Sequence, residues 1–253
     1  MLARRCVRFA IITVFLLPST LWSADKPTWA NAAVPFSFNC IKNPSAMQRI
    51  TSPDGRIKVD VKCHQVTSLD DPTLYLHVIG SDNPRQDIDL QPGALELLWS
   101  PDSRAFLVNG AESAYASFWV TVYQIEARDV RKIAVTSAAQ RDMVASFPPC
   151  KAKYRDARTC QQIEANPQFN MSGIAWVNGH FAILVVAEVP CSSLYGGIMC
   201  QVKGYKVNAE NGQILEQMTA SQLSSRWQKS MAWHFRVPEP PEYERSFVQS
   251  AKP

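Results

Sequence analysis

The sequence predicts a mainly β fold with two short helices, and three observations support this prediction. Most of the chain consists of short segments in which apolar and polar residues alternate, separated by Pro, Gly, Asn or Asp. A turn phrase occurs twice, in "RITSPDGRIKVDV" from residue 49 and in "LLWSPDSRAFLVN" from residue 97. Helical signals occur at only two places. We therefore expect antiparallel strands joined by tight turns.

The strand after the first phrase shows the pattern most clearly. In "RIKVDVK" Ile57, Val59 and Val61 alternate with polar residues, which is typical of a strand with one wet face. The continuous apolar run "HFAILVVAEV" at 180–189 predicts a central strand that is buried on both faces. Further strands are predicted in "TLYLHVI", "RQDIDL", "ALELLWS", "RAFLVNG", "ASFWVTVYQIE" and "VRKIAVT".

One hairpin and two helices complete this reading. Asn211-Gly212 lies between two alternating segments and predicts a hairpin, because both residues tolerate a positive φ. One helix is expected to begin near Ser137, capped with the help of Gln140, and to end at Pro148-Pro149. The other is expected to begin near Thr219 with Gln222 in the same relation, and to place a stripe of apolar side chains on the core: Leu223, Trp227 and Met231.

The repeated phrase has the chemistry of a tight turn. Proline holds φ near −65°, the side chain of Asp54 or Asp102 can accept from backbone amides two residues on, and Gly55 accepts a left-handed conformation. The second copy has Ser103 in place of the glycine. A third, degenerate unit is predicted at 173–186, where Asn178-Gly179 supplies the turn.

"LLWSPDSRAFLV" and "TSPDGRIKV" resemble the blade motif of TolB-type, WD-repeat-like propellers, and "GYKVNAENGQILEQ" resembles an outer blade hairpin. The resemblance implies four-stranded blades whose inner strands are joined by such turns. Three units are visible, and the longer gap before the third indicates an insertion of about 30 residues. Propeller-like blades and a twisted β-sandwich both remain open.

The first 23 residues are typical of a secretory signal. Arg4, Arg5 and Arg8 precede a short apolar run that ends at Pro18, so we expect cleavage near Ala24 and no membrane span in the mature chain. The remaining chain is predicted to form one mainly β domain over 24–236, with a helical, disulfide-clipped insertion at about 137–170 and a proline-rich tail at 237–253. An exported protein of the periplasm or the external medium follows from this reading.

Charge and cysteine content narrow the class further. Removal of the leader lowers the net charge from +4 to +1, so no electrostatic footprint for nucleic acid is expected. Six cysteines remain, and an even number in an exported chain predicts disulfides. Their order suggests three local pairs, and the absence of a Cys-x-x-Cys spacing argues against a metal site. The pairs are Cys40 with Cys63, Cys150 with Cys160, and Cys191 with Cys200.

The common catalytic and cofactor motifs are absent from the sequence, so neither a cofactor nor a metal is expected. His77 or His180 could act as a general base, although a hydrogen-bonded structural role is favoured for both. Asp87 and Asp89 alternate as in a calcium loop, but Pro92 occupies the position of the required glycine. A strand with both aspartates outward is therefore the preferred interpretation.

The loop from Cys150 to Cys160 is the most suggestive surface segment. A disulfide across it would lower the ordering cost of binding a protein or an anionic envelope component. It carries four cations and one aromatic residue, Lys151, Lys153, Tyr154, Arg155 and Arg158. The sequence thus favours a non-catalytic binding protein; a hydrolase with a site built from loops and a small enzyme inhibitor are the alternatives.

Overall fold

The computed structural model describes residues 29–36, 45–63, 74–80, 86–90, 94–111, 118–127, 129–146, 169–190 and 199–232. Within these residues the chain forms thirteen strands, two α-helices and one short 3₁₀ helix. All strand pairs are antiparallel. The predicted mainly β fold class is confirmed, whereas the resemblance to propeller blades stays a prediction.

The strands form three separate sheets, each a meander of neighbours in the chain. The first strand in the chain, β1 (Val34–Phe36), forms an edge of the second sheet. Sheet 1 consists of β2 (Met47–Thr51), β3 (Lys58–Cys63), β4 (Leu74–Ile79) and β5 (Gln86–Leu90). The rest of sheet 2 consists of β6 (Ala94–Trp99), β7 (Ala105–Ala111), β8 (Phe118–Ile125) and β9 (Val130–Ile133). Sheet 3 consists of β10 (Asn170–Val177), β11 (Ala182–Glu188), β12 (Val202–Asn208) and β13 (Ile214–Thr219).

Sheet 2 is the middle layer of the three, because its two faces contribute to two different apolar clusters. Leu97 and Val108 pack in one cluster with Val59 and Leu76 of sheet 1. The alternate residues of the same strands, such as Leu107, pack in the other cluster with the inner strands of sheet 3. Both faces of β7 are therefore covered by neighbouring sheets, and β7 is buried at every position.

The predicted helices are present, but only one has the predicted cap. α1 (Ser137–Ala145) begins after Thr136, whose side chain makes no capping bond, so the cap predicted for Ser137 is wrong. Thr136 has helical φ and ψ values, a conformation that does not aim its hydroxyl at the first amides. α2 (Ala220–Trp227) has the predicted capping box between Thr219 and Gln222.

The apolar stripe of the second helix is shared between two elements. Leu223 is fully buried against Gly204 of β12, and Trp227 packs against the same cluster. Met231 is also buried, but it lies beyond α2 and the 3₁₀ helix Gln228–Ser230, in a bridge with Ala30. The segment around Ala30 is thus anchored beside the end of the described chain.

Several predictions lie wholly or partly outside the described residues. They include the leader, the proline-rich tail and most of the insertion. Cys63 and Cys200 are each disulfide-bonded, while the other four cysteines of the predicted pairs are among the residues that are not described, so the pairing stays a prediction. None of the helices in the described residues has the length and apolar character needed to cross a membrane.

Candidate functional site

The first copy of the repeated phrase folds into a turn closed by its own side chains. Ser52 Oγ donates to Asp54 Oδ1 over 2.7 Å, and the backbone N–H of Arg56 donates to the same oxygen over 3.0 Å. The N–H of Ile57 donates to Ser52 Oγ over 3.0 Å. Serine and aspartate therefore satisfy the amides at the point where β3 begins.

The second copy repeats these bonds at equivalent positions. Ser100 Oγ donates to Asp102 Oδ1 over 2.8 Å, the N–H of Arg104 donates to that oxygen over 3.3 Å, and the N–H of Ala105 donates to Ser100 Oγ over 3.0 Å. Ser103 has a φ of +62°, in the left-handed region, as Gly55 has in the first copy with +77°. The phrase is thus a repeated structural turn, as the sequence predicted.

The third turn occupies the predicted place but is built differently. Asn178 and Gly179 have positive φ values of 58° and 67°, and the N–H of Phe181 donates to the carbonyl of Asn178 over 3.3 Å. This turn has no aspartate of its own. His180 instead lies beside the aspartate of the second turn.

The three turns contact one another in chain order across the sheets. The N–H of Asp54 donates to Ser103 Oγ over 3.0 Å and joins the first turn to the second. Nδ1 of His180 lies 2.6 Å from Oδ2 of Asp102 and joins the second turn to the third. We call the surface formed by residues 52–57, 100–105 and 178–181 the turn face.

Two further contacts join sheets 2 and 3 at the end of the sheets where the turn face lies. The guanidinium of Arg131 forms an ion pair with Glu126 and donates to the carbonyl of Glu210 over 3.3 Å. Gln124 Nε2 donates to the carbonyl of Ala209 over 3.3 Å. The hairpins beside the turn face are therefore held in place as well.

Hydrogen bonding keeps both turn aspartates ionised. The Ser52 hydroxyl, followed by the Arg56 amide, lowers the pKa of Asp54. Burial acts to raise the pKa of Asp102, but the hydrogen bonds that this carboxylate shares with His180, Ser100 and the amide of Arg104 outweigh it, and the pKa is lowered. An ionised Asp102 can only accept a hydrogen bond, so Nδ1 of His180 carries the proton between the two residues. Nε2 is the ring nitrogen that this contact does not use.

The side chains that the turn face presents to solvent differ in character. Arg56 has 80% of its side chain exposed, and Phe181 is 52% exposed. The ring of Phe181 lies 4.1 Å, centroid to centroid, from the ring of His180, which is itself mostly buried. The surface thus offers an apolar contact and a cation on a fixed backbone.

Of the other residues singled out in the sequence, the structure describes His77 and Asp87, which lie in sheet 1. His77 lies in β4, where its Nδ1 is 2.5 Å from Oδ1 of Asp87 in β5. The strand interpretation of this region is confirmed, with Asp87 exposed and Leu90 buried. The loop from Cys150 to Cys160 with its four cations and Tyr154 lies outside the described residues.

Sequence reasoning missed the contact between Asp102 and His180, and local signals could not have revealed it. The two residues are 78 positions apart, and only the stacking of sheets 2 and 3 brings them together. Within the described ranges, no group of three His, Cys, Asp or Glu residues could hold a metal ion.

No family model matches the chain, and no curated protein or solved structure is similar enough to it to count as a match. The functional argument therefore depends on the residues and the geometry of this chain.

Proposed function

We propose that the protein is an exported, non-catalytic binding protein that contacts a protein partner through the turn face. The observation that carries the proposal is the exposed ring of Phe181 on a turn that is joined to its neighbour by Asp102 and His180. Aromatic residues, Phe among them, and Arg are enriched at protein interfaces, so we take Phe181 as the anchor.

The backbone of the turn face supports this proposal. Each of the first two turns is closed by three hydrogen bonds of serine and aspartate. Because the turns are also bonded to one another, binding would order few groups that are free in the unbound protein, and the entropic cost of association is low. Loops held on a rigid scaffold are common binding surfaces.

The exposed side chain of Arg56 indicates which groups a partner would need. Arg56 is 4.0 Å from Asp54 at its nearest approach and otherwise faces solvent. A partner with an apolar pocket for Phe181 and a carboxylate near Arg56 would complement both side chains. Rim charges of this kind act mainly on the rate of encounter and on specificity.

Crosslinking and pull-down of the exported protein test the proposal. Phe181→Ala and Arg56→Ala should each weaken capture of the partner without changing the melting temperature. Met47→Ala is the matched control, because Met47 is equally exposed at 52% but lies at the start of β2, away from the turn. Equal capture by all three variants would contradict the assignment of the turn face.

A hydrolase is the second candidate, and the Asp102–His180 pair favours it. A carboxylate on Nδ1 orients a histidine so that Nε2 can act as a general base. Ser100 is no nucleophile in this arrangement, because it is fully buried and donates to Asp102 instead. Turnover of ester, peptide or glycoside substrates that is lost in His180→Asn would support the hydrolase; no turnover, with partner capture retained, would support binding.

A further inference from the structure

The outer face of sheet 1 carries a row of four polar side chains that crosses all four strands. Arg49, Asp60, His77 and Asp87 are direct cross-strand partners in register, one from each of β2, β3, β4 and β5. Directly opposed residues lie on the same face of a sheet. We call these four residues the charge row.

The charge row lies on the side of sheet 1 that faces away from sheet 2. The residues that alternate with it, including Ile50, Val59 and Leu76, belong to the apolar cluster shared with sheet 2. Its two ends are open to solvent, with 48% of the Arg49 side chain and 64% of the Asp87 side chain exposed. The face is therefore accessible at both edges.

The members of the row are already paired within the chain. Arg49 holds Asp60 through two hydrogen bonds, Nε to Oδ1 over 2.6 Å and Nη2 to Oδ2 over 2.8 Å. Nδ1 of His77 lies 2.5 Å from Oδ1 of Asp87. Lys62 Nζ also lies 3.9 Å from Asp60 Oδ2. Asp60 and His77 are buried, so the side chains at the ends provide the surface for any contact.

The cation Arg49 at one end of the row and the carboxylate Asp87 at the other make this face complementary to itself. A two-fold axis parallel to the strands, between β3 and β4, reverses the row and sets Arg49 opposite Asp87 of a second copy. This contact then occurs twice, as a symmetric interface between identical chains requires. An axis at right angles to the strands that runs through the charge row would instead set Arg49 opposite Arg49.

We propose that the outer face of sheet 1 binds a second copy of this chain, with Arg49 of each copy paired to Asp87 of the other. Exposed Met47 lies in the adjacent row, opposite Lys62 in register, and supplies apolar area to the same contact. The dimer uses a surface separate from the turn face, so it is independent of the proposed function.

Sedimentation equilibrium of the full exported chain tests the proposal. The wild type should associate to a dimer as its concentration rises, and Asp87→Lys should raise the dissociation constant about tenfold or more, because it creates two like-charge contacts. Met47→Lys leaves every intrachain ion pair in place and should weaken association as well. Phe181→Ala, on the turn face, is the matched control and should dimerise like the wild type.

A charge exchange makes the test specific for the proposed pairing. Arg49→Glu alone should also be monomeric, whereas an equimolar mixture of Arg49→Glu with Asp87→Lys should form a mixed dimer, in which both contacts again join opposite charges. Circular dichroism shows whether each variant is folded. If Arg49→Glu does not fold, Met47→Lys takes its place as the variant that tests the interface. A monomeric wild type, or a dimer insensitive to both Asp87→Lys and Met47→Lys, would overturn the proposal.

Discussion

Nδ2 of Asn109 lies 2.5 Å from Oε1 of Glu96 between sheets 2 and 3, where both residues are completely buried. Asn109 also bonds both backbone groups of Gly173 in β10. Glu96 accepts from the amides of Trp29 and Ala30. One carboxylate and one amide side chain thus connect the middle sheet, the third sheet and the segment that precedes β1.

The stability of the protein should decrease as the pH rises toward neutrality, because Glu96 is buried. Burial raises the pKa of Glu96 from 4.5 to about 7, although the three N–H donors act in the opposite direction. The folded chain therefore keeps a proton that the unfolded chain releases. This stabilisation is complete below about pH 4.5, is lost as the pH rises through about 7, and amounts to about 3 kcal/mol at most.

Chemical denaturation from pH 4 to pH 8 measures this effect. Glu96→Gln cannot ionise and should flatten the dependence of the unfolding free energy on pH across that window. Glu216→Gln is the matched control, since Glu216 is exposed and forms an ion pair with exposed Arg226. Parallel curves for wild type and Glu96→Gln would show that Glu96 does not titrate in this range.

The mature protein should begin near Ala24 and contain three disulfides. Intact mass after alkylation of the denatured protein should show no labelled cysteine before reduction and six after it. Cys63→Ser should expose Cys40 to the reagent, and Cys200→Ser should expose Cys191, if the predicted local pairs are correct. Peptide mapping identifies the labelled residue, and label on any other cysteine would reassign the pairing.

Neutralising the loop from Cys150 to Cys160 should leave the fold intact. Exposed charges contribute about 0–1 kcal/mol each to stability at most, so the melting temperature should change little. If the loop contributes to partner binding, the same change should weaken capture and reduce its dependence on salt. The variant replaces Lys151, Lys153, Arg155 and Arg158 with Gln. Equal capture of the partner by this variant and the wild type, at low and moderate salt, would show that the loop does not take part and would leave the turn face as the proposed binding surface.

The strands and turns could be predicted because their signals are local. Alternation at Val59 and Val61, and the positive φ required at Gly55, are properties of a few adjacent residues. For Glu96 the sequence predicts only a place in a strand, because its neighbours in "ALELLW" do not show that both faces of β6 are covered. Burial of a carboxylate depends on how sheets stack.

The candidate site and the charge row could not be predicted for the same reason. Residue types at Asp102 and His180 are visible in the sequence, but their separation of 78 positions hides the contact. The charge row needs the register of three strand pairs, which alternation within one strand does not determine. Local chemistry therefore predicted the elements, and long-range packing determined the sites.

Tyr205→Phe should destabilise the protein by about 1.5–3 kcal/mol, the range of a hydrogen bond to a charged group. The hydroxyl of buried Tyr205 donates to Asp142 Oδ2 over 2.8 Å and so joins β12 to α1. Burial acts to raise the pKa of Asp142, but bonds from Tyr205, Lys203 and Gln217 outweigh it and lower the pKa. Asp142 therefore stabilises the fold above about pH 4 and loses this effect as the pH falls through its lowered pKa.

A double-mutant cycle isolates this contact. Tyr205→Phe and Asp142→Asn should together cost less than the sum of their separate effects, because each removes the same bond. Lys203→Met provides a comparison, since the Lys203 pair is longer, at 3.2 Å, and partly exposed, and it should cost less than Tyr205→Phe. Strictly additive losses from Tyr205→Phe and Asp142→Asn would show that the bond between these two residues does not contribute to holding α1 against β12.

Two glycines of the turn face should respond differently to the same substitution. An added Cβ at Gly55 meets nothing within 4 Å. Gly55→Ala should therefore lower the free energy of unfolding only by the strain of an alanine in the left-handed conformation, about 1 kcal/mol. An added Cβ at Gly179 would lie 2.9 Å from Oδ2 of Asp102. That oxygen is held at His180, so Gly179→Ala should cost more than Gly55→Ala.

Thermal and chemical denaturation of the two variants and of Asp102→Ala test this difference. In the Asp102→Ala background the obstructing carboxylate is gone, and Gly179→Ala should then cost about as much as Gly55→Ala does in the wild type. The same background should leave the cost of Gly55→Ala unchanged, because Gly55 does not approach Asp102. If Gly179→Ala costs no more than Gly55→Ala in the wild type, the contact between Asp102 and His180 does not hold the second and third turns together.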